Sequence, residues 1–299
     1  MGFEGVYLFF VLSGFLLTVQ TQDQVLGVRT VGVFYARRLL RIFPAVWLQL
    51  MVLALVGELW SAWTLAPTRE NWLINALLWV NMPPAMQKPA VGVWWTLPVE
   101  LSFYALLPVS TAGAWVCCGN RLIVASLVIT GMWRWDITQY FPGANFSSLS
   151  HLIDSLPAAL TSFLAGAVAA RWNKSLNATL RRPVLWFGLL GFFAVQALLL
   201  PGIEHYWQGG WLLVSLNTLL SVSFAAIELS CVRDGSCGWL NQPVMQWLGE
   251  RSFGLYLWDV PAIEAVKLSW PQADGQRLGG MFLGGAGNSV GRRNQFPNR

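Results

Sequence analysis

The chain has 299 residues, of which 55% are hydrophobic and only 11% charged, with 18 Trp and a mean hydropathy of +0.51. Soluble domains carry about a quarter charged residues, so this composition excludes an ordinary soluble domain and reads as an all-α, polytopic transmembrane helix bundle in a lipid bilayer. The formal net charge of +5 comes from Lys and Arg in short loops between apolar runs, a pattern that reports membrane orientation and argues against a nucleic-acid partner.

In chain order, apolar runs at 5–19, 45–63, 91–116, 122–133, 156–170, 184–200, 211–229 and 253–270 predict spans. A ninth run, 72–80, is short and stops at Asn81-Met82-Pro83-Pro84, so about eight or nine membrane segments are expected. The 20–41 segment carries Arg29, Arg37, Arg38 and Arg41 against Asp23, and 171–182 carries Arg171, Lys174, Arg181 and Arg182 with no acid. Both are expected on the cytoplasmic side. Returning to the same side takes an even number of crossings, so the 72–80 run is expected to stay in or on the membrane. The loop 201–210, with Glu204 and no Lys or Arg, then falls outside. Cys117, Cys118, Cys231 and Cys237 show neither metal-ligand spacing nor a disulfide framework and read as packing residues, and no metal is expected. The division expected is a membrane domain over 1–270 and a Gly-rich, poorly ordered tail over 271–299.

Four stretches hold polar groups where a plain membrane anchor would have none. In Gly5-Val6-Tyr7-Leu8-Phe9-Phe10-Val11-Leu12-Ser13-Gly14-Phe15-Leu16, the small residues permit close helix approach and Ser13 offers a hydroxyl. In Phe34-Tyr35-Ala36-Arg37-Arg38-Leu39-Leu40-Arg41-Ile42-Phe43-Pro44, a helical conformation puts Arg37 and Arg41 one turn apart with Arg38 beside them. This patch is either a positive-inside anchor or a clamp for phosphate. In Trp94-Trp95-Thr96-Leu97-Pro98-Val99-Glu100-Leu101-Ser102-Phe103-Tyr104, an acid inside an apolar span costs about 2.5–3.5 kcal/mol. Glu100 therefore needs either an interhelical hydrogen bond or a chemical purpose, and Tyr104 is one turn away. In Leu248-Gly249-Glu250-Arg251-Ser252-Phe253-Gly254-Leu255-Tyr256-Leu257-Trp258-Asp259, Asp259 enters a span near Tyr256, and Lys267 lies on its stripe as a neutralising partner for Asp259 or Glu264. The four together describe a polar cavity open toward the arginines and suited to a large anionic cofactor.

These motifs, in this order, closely resemble the membrane acyltransferase 3 family. The resemblance covers nearly the whole chain to about Trp270 and implies an integral enzyme of about ten helices. It would move an acyl group, usually acetyl, from acyl-CoA to a hydroxyl of a carbohydrate or related acceptor at the bacterial inner membrane. It implies that Arg37, Arg38 and Arg41 meet the CoA phosphates and that Glu100 is the buried catalytic acid. Ser13, Trp95, Tyr104, Tyr256 and Asp259 are expected to line the substrate pocket. Three departures stand out. The sequence starts inside the motif that follows the family's histidine base, so the first helix, and with it the catalytic His, is expected to be missing. His151 and His205 fall in predicted loops without matching context. Tyr7 replaces a common acidic residue, and Asp259 stands where His usually follows the Leu-Trp pair. The competing reading is a non-catalytic transporter or scaffold, but the paired interrupted helices of common transporter designs are not seen.

Overall fold

The computed structural model describes residues 4–21, 28–65, 68–82, 87, 89–111, 114–143, 149–200, 206–232 and 237–269. Their regular structure is helical, with no strand among the described residues: α1 (Glu4–Thr21), α2 (Val28–Leu59), α3 (Trp72–Ala76), α4 (Thr96–Thr111), α5 (Ala114–Tyr140), α6 (Ser150–Ile153), α7 (Leu156–Trp172), α8 (Ala178–Leu199), α9 (Trp211–Cys231) and α10 (Pro243–Ser269). The arginine stretch is part of α2, whose 32 residues reach about 48 Å, longer than a bilayer core. The 72–80 run yields only the five-residue α3, too short to cross.

Eight or nine membrane segments are expected from the sequence, and length and apolarity together single out a subset of the helices. Among the described residues, four helices are long and apolar enough to span: α1, the Arg29–Leu59 part of α2, α8 and α9. The physical reason lies in length and interior polarity. α4 and α7 have 16 and 17 residues, whereas the 27-residue α5 and α10 carry charges such as Arg134, Asp136, Glu250 and Arg251.

Side-chain contacts fix how the helices run. Tyr7 meets Asp154 at the start of α7, and Gly14 meets Phe163, so α1 and α7 are parallel. Asn217 donates to the Ala158 carbonyl and Ser221 meets Ser162 at 2.7 Å, which aligns α9 with them. Thr130 donates to the Pro157 carbonyl at 2.9 Å, and Arg181 to the Leu229 carbonyl at 2.7 Å, so α5 and α8 run the other way. As a result Arg121, Arg171, Lys174, Arg181 and Arg182 lie at the same end of the bundle as Arg38.

Small residues set the closest approach. A Cβ on Gly14 would sit 2.0 Å from the Phe163 carbonyl oxygen, and one on Gly166 1.9 Å from that of Val11. Backbone-to-backbone contact of this kind is what small residues allow in membrane helices. Gly188 and Gly191 play the same part against Ser223 of α9. In α10, Pro261 has no N–H for the Leu257 carbonyl one turn back. Buried Gln49 of α2 donates to that carbonyl and accepts the Trp94 indole N–H at 2.9 Å, tying α10, α2 and the Gly92–Trp95 turn together.

The reading of all four cysteines as packing residues is overturned at one pair, because Cys231 and Cys237 form a disulfide. α9 ends at Cys231 and the chain returns at Cys237 with the two Cα atoms 5.1 Å apart, within disulfide range. The side chains of Cys117 and Cys118, residues 201–205 of the expected 201–210 outside loop and the expected tail lie outside the described residues.

Gly166→Leu is expected to lower the unfolding temperature of the purified protein, with a loss exceeding the roughly 1–3 kcal/mol of ordinary overpacking, since carbonyl backbone cannot move aside. Gly32→Leu, where an added Cβ meets nothing within 4 Å, is expected to leave it unchanged.

Candidate active site

The site is built on one face of α4. Thr96, Glu100 and Tyr104 follow one another at four-residue spacing, so they stack along that face. Pro98 sits in the first turn, where its missing N–H costs nothing, and its carbonyl is taken by the Ser102 hydroxyl at 2.7 Å. Glu100 is only 6% exposed. Tyr104 and Ser13 of α1 both donate to its Oε1, the latter at 3.5 Å. Among the described residues, Oε2 takes no hydrogen bond.

The arginine end of α2 reaches toward this carboxylate. The Arg38 guanidinium lies 5.4 Å from the Tyr104 ring centre and 5.7 Å from that of Phe34, within cation–π range. It also donates to Gln20 of α1 at 2.9 Å, while Tyr35 donates to the Tyr104 carbonyl at 3.1 Å. Arg41 and Arg38 both attract the Glu100 carboxylate electrostatically.

Beside this cluster is a cavity of about 320 Å³, walled by Arg41, by Val6 and Phe9 of α1, by Thr96 of α4, and by Ser252 and Tyr256 of α10. The Tyr256 hydroxyl donates to the Val93 carbonyl and meets Thr96 Oγ1 at 2.7 Å, which fixes both side chains. A cation from α2, hydroxyls from α4 and α10 and a carboxylate one helical turn from Thr96 can hold an anionic group and accept a proton.

The structure brings Ser13, Glu100, Tyr104 and Arg38 into one cluster, and Arg41 and Tyr256 onto the cavity wall. It does not bring in the rest. Arg37 is exposed. Trp95 packs edge-on against Phe10 at 6.0 Å and its carbonyl accepts from Asn81. Asp259 is exposed and accepts the Val260 backbone N–H. The expected partner for that acid is absent too: among the described residues no ion pair joins Lys267 to Asp259 or Glu264, and Glu264 accepts from Thr64 at 3.0 Å. Thr96 and Gln20 escaped the sequence reading. Thr96 was legible as the residue one turn before Glu100, whereas nothing local marks Gln20. The His151 side chain and His205 lie outside the described residues, and among those described no three of His, Cys, Asp and Glu come together as a metal site would need.

A second polar cluster, also missed, lies at the opposite end. Arg134 of α5, fully buried, pairs with Asp154 at 2.6 Å and donates to the Tyr7 hydroxyl at 3.1 Å and the Leu213 carbonyl at 2.9 Å. Burial pushes the nearby Tyr206 phenol up to about 12, which keeps it a neutral hydroxyl beside the ion pair. The Arg134 signal was a charge at the edge of the 122–133 apolar run, where it read as the end of a span.

Together the fold and the site define a membrane helix bundle whose cationic end faces a buried carboxylate and a small cavity. Residues 1–286 match the family model described as an acyltransferase domain, and the chain belongs to that acyltransferase family. It is similar to the peptidoglycan O-acetyltransferase OatA of Listeria monocytogenes, at 24% identity over 88% of this chain and 45% of that protein. It is also similar to a Staphylococcus aureus protein named as a candidate O-acetyltransferase, at 25% identity over 92% and 48%. A third relative, named as a candidate peptidoglycan O-acetyltransferase of Bacillus subtilis, YrhL, is 26% identical over 88% and 44%. The chain spans about half the length of these curated relatives. No solved structure matches it.

Removing one member of the buried ion pair leaves the other charge uncompensated. Asp154→Ala is therefore expected to cost about 3–5 kcal/mol in thermal unfolding, whereas the double substitution Arg134→Met with Asp154→Leu recovers most of that loss.

Proposed function

We propose that this protein is an integral O-acetyltransferase of the bacterial inner membrane, with the Arg37–Arg41 stretch cytoplasmic. In this reading it moves an acetyl group from acetyl-CoA to a sugar hydroxyl of peptidoglycan or a related cell-surface glycan. The observation that carries the reading is the convergence of Arg38 and Arg41 on the buried Glu100 beside a cavity. The names of the relatives support the acceptor class, and membership in the acyltransferase family supports the reaction type. The catalytic unit proposed is residues 1–270, followed by the tail 271–299.

Acetyl transfer from a thioester needs three things. A cationic surface must hold the donor phosphates, a donor must meet the oxyanion that forms on the thioester carbonyl, and a base must take the hydroxyl proton. Arg37 and Arg38 at the cytoplasmic mouth take the phosphates, which suit guanidinium forks. Arg41 on the cavity wall lies deeper and faces the developing negative charge. Glu100 Oε2, bearing no hydrogen bond among the described residues, accepts the proton, with Tyr104 and Ser13 holding the carboxylate by its other oxygen. The acceptor oxygen bonds to the acetyl carbonyl carbon, the carbon–sulfur bond breaks, and CoA leaves as the thiolate. Thr96 and Tyr256 on the facing wall orient the acceptor. Ser13 and Tyr104 act through Glu100, Trp95 contributes only its packing on Phe10, and the exposed Asp259 takes no part.

The test measures labelled acetyl transfer from acetyl-CoA to peptidoglycan fragments by membranes containing the protein. Arg38→Ala is expected to abolish transfer while the protein inserts at the normal level. Glu100→Gln is expected to lower kcat by about 10²–10⁴-fold, the contribution of a positioned acid–base group. Full transfer by either variant, or none by the unaltered protein, refutes the assignment and leaves a non-catalytic transporter or scaffold.

A further inference from the structure

α5 and α8 diverge over the surface of α7 and α9 and leave a second cavity of about 450 Å³ between them. Its wall is built from Leu127 of α5, Leu164 and Val168 of α7, Val184 and Phe187 of α8, and Val222 of α9. Two hydroxyls also reach the wall, and both are already satisfied by backbone: Ser126 donates to the Ile123 carbonyl at 2.8 Å and Thr161 to the Ser126 carbonyl at 3.3 Å. Such a surface offers nothing to a polar ligand. Its volume lies within the roughly 300–1,000 Å³ range of small-molecule sites.

One end of this cavity is chemically different. Trp172 and Leu176 line it there, in the stretch where the 171–182 segment carries Arg171, Lys174, Arg181 and Arg182 and no acid. Arg121 of α5 stands at the same end, two residues before the wall residue Ile123. Arg121, Arg171, Lys174 and Arg182 are exposed to the surroundings, and Trp172 is 61% exposed, as suits an indole at a membrane interface. An apolar slot with a cationic, indole-bearing mouth matches a molecule with a hydrocarbon chain and an anionic head. Basic pockets between membrane helices take anionic lipid headgroups by this chemistry.

We infer that the cleft between α5 and α8 is a binding site for an anionic phospholipid, with an acyl chain along Leu127, Val168 and Phe187 and the headgroup phosphate among Arg171, Lys174 and Arg121. The site is separate from the Arg38–Glu100 cluster and does not rest on the acyl-transfer reading. It joins α5, α7, α8 and α9 through a ligand where the protein itself leaves a gap.

Native mass spectrometry of the full chain, released from nanodiscs holding equal phosphatidylglycerol and phosphatidylcholine, tests this. The protein is expected to retain phosphatidylglycerol over phosphatidylcholine by at least about fivefold, the effect of one surface cation on an anionic lipid. Ala165→Phe fills the slot and is expected to abolish retention, with Leu127→Trp on the facing wall as the second filling variant should the first not fold. Arg171→Gln with Lys174→Gln leaves the slot intact and is expected to bring the two lipids to parity. Equal retention of both lipids by the unaltered protein, undiminished retention by a folded filled variant, or a lipid-free dimer with the cleft buried between copies each overturns the inference.

Discussion

Glu100 makes the strongest demand on this structure. An ionisable acid within an apolar bundle has to be matched by donors or by opposite charge, or it does not persist. The match is assembled from three helices, because α1 brings Ser13, α4 brings Tyr104, and α2 lays Arg38 over the Tyr104 ring. One carboxylate thereby fixes the mutual positions of α1, α2 and α4. Arg38 and Arg41, though not Arg37, also lie toward the carboxylate and the cavity, and that placement supports reading them as more than topological markers.

The bundle is anchored differently at its two ends. At the end away from Arg38, Arg134 is enclosed by Asp154, Tyr7 and the Leu213 carbonyl, so α1, α5, α9 and the start of α7 are tied together by a buried polar network. Between the ends, α1 and α7 meet backbone to backbone through Gly14 and Gly166. α1, α7 and α9 are inner helices with about half or more of their residues buried, whereas α2 is less enclosed and borders the candidate site from outside. The cavity at Arg41 thus lies between a fixed inner group of helices and the less enclosed α2 and α10. Gln49 keeps that outer pair in register by serving the carbonyl that Pro261 strands. A site so placed has rigid walls on one side and can admit a large donor from the other.

Composition and short-range spacing by themselves determined a good deal. They specified a helical membrane protein and the acyltransferase kinship carried by four ordered motifs. The i, i+4 relation of Glu100 and Tyr104 was also legible, since helical geometry alone puts those residues on one face. So was the special cost of Glu100, which follows from an acid in an apolar run. Only the tertiary structure decided which polar residues meet. Ser13 and Glu100 are 87 positions apart and Gln49 and Leu257 are 208, separations at which no local periodicity carries information. The same limit explains the errors. Asp259 follows Tyr256 closely in sequence, yet the helix turns it outward, and Arg134 looked like the end of a span until Asp154 and Tyr7 were found to enclose it. Cys231 and Cys237 carry no pairing signal in their spacing, because their bond depends on where α9 ends and the chain returns. Burial and partnership are properties of the packed bundle, and a linear chain states only which residues are available to enter them.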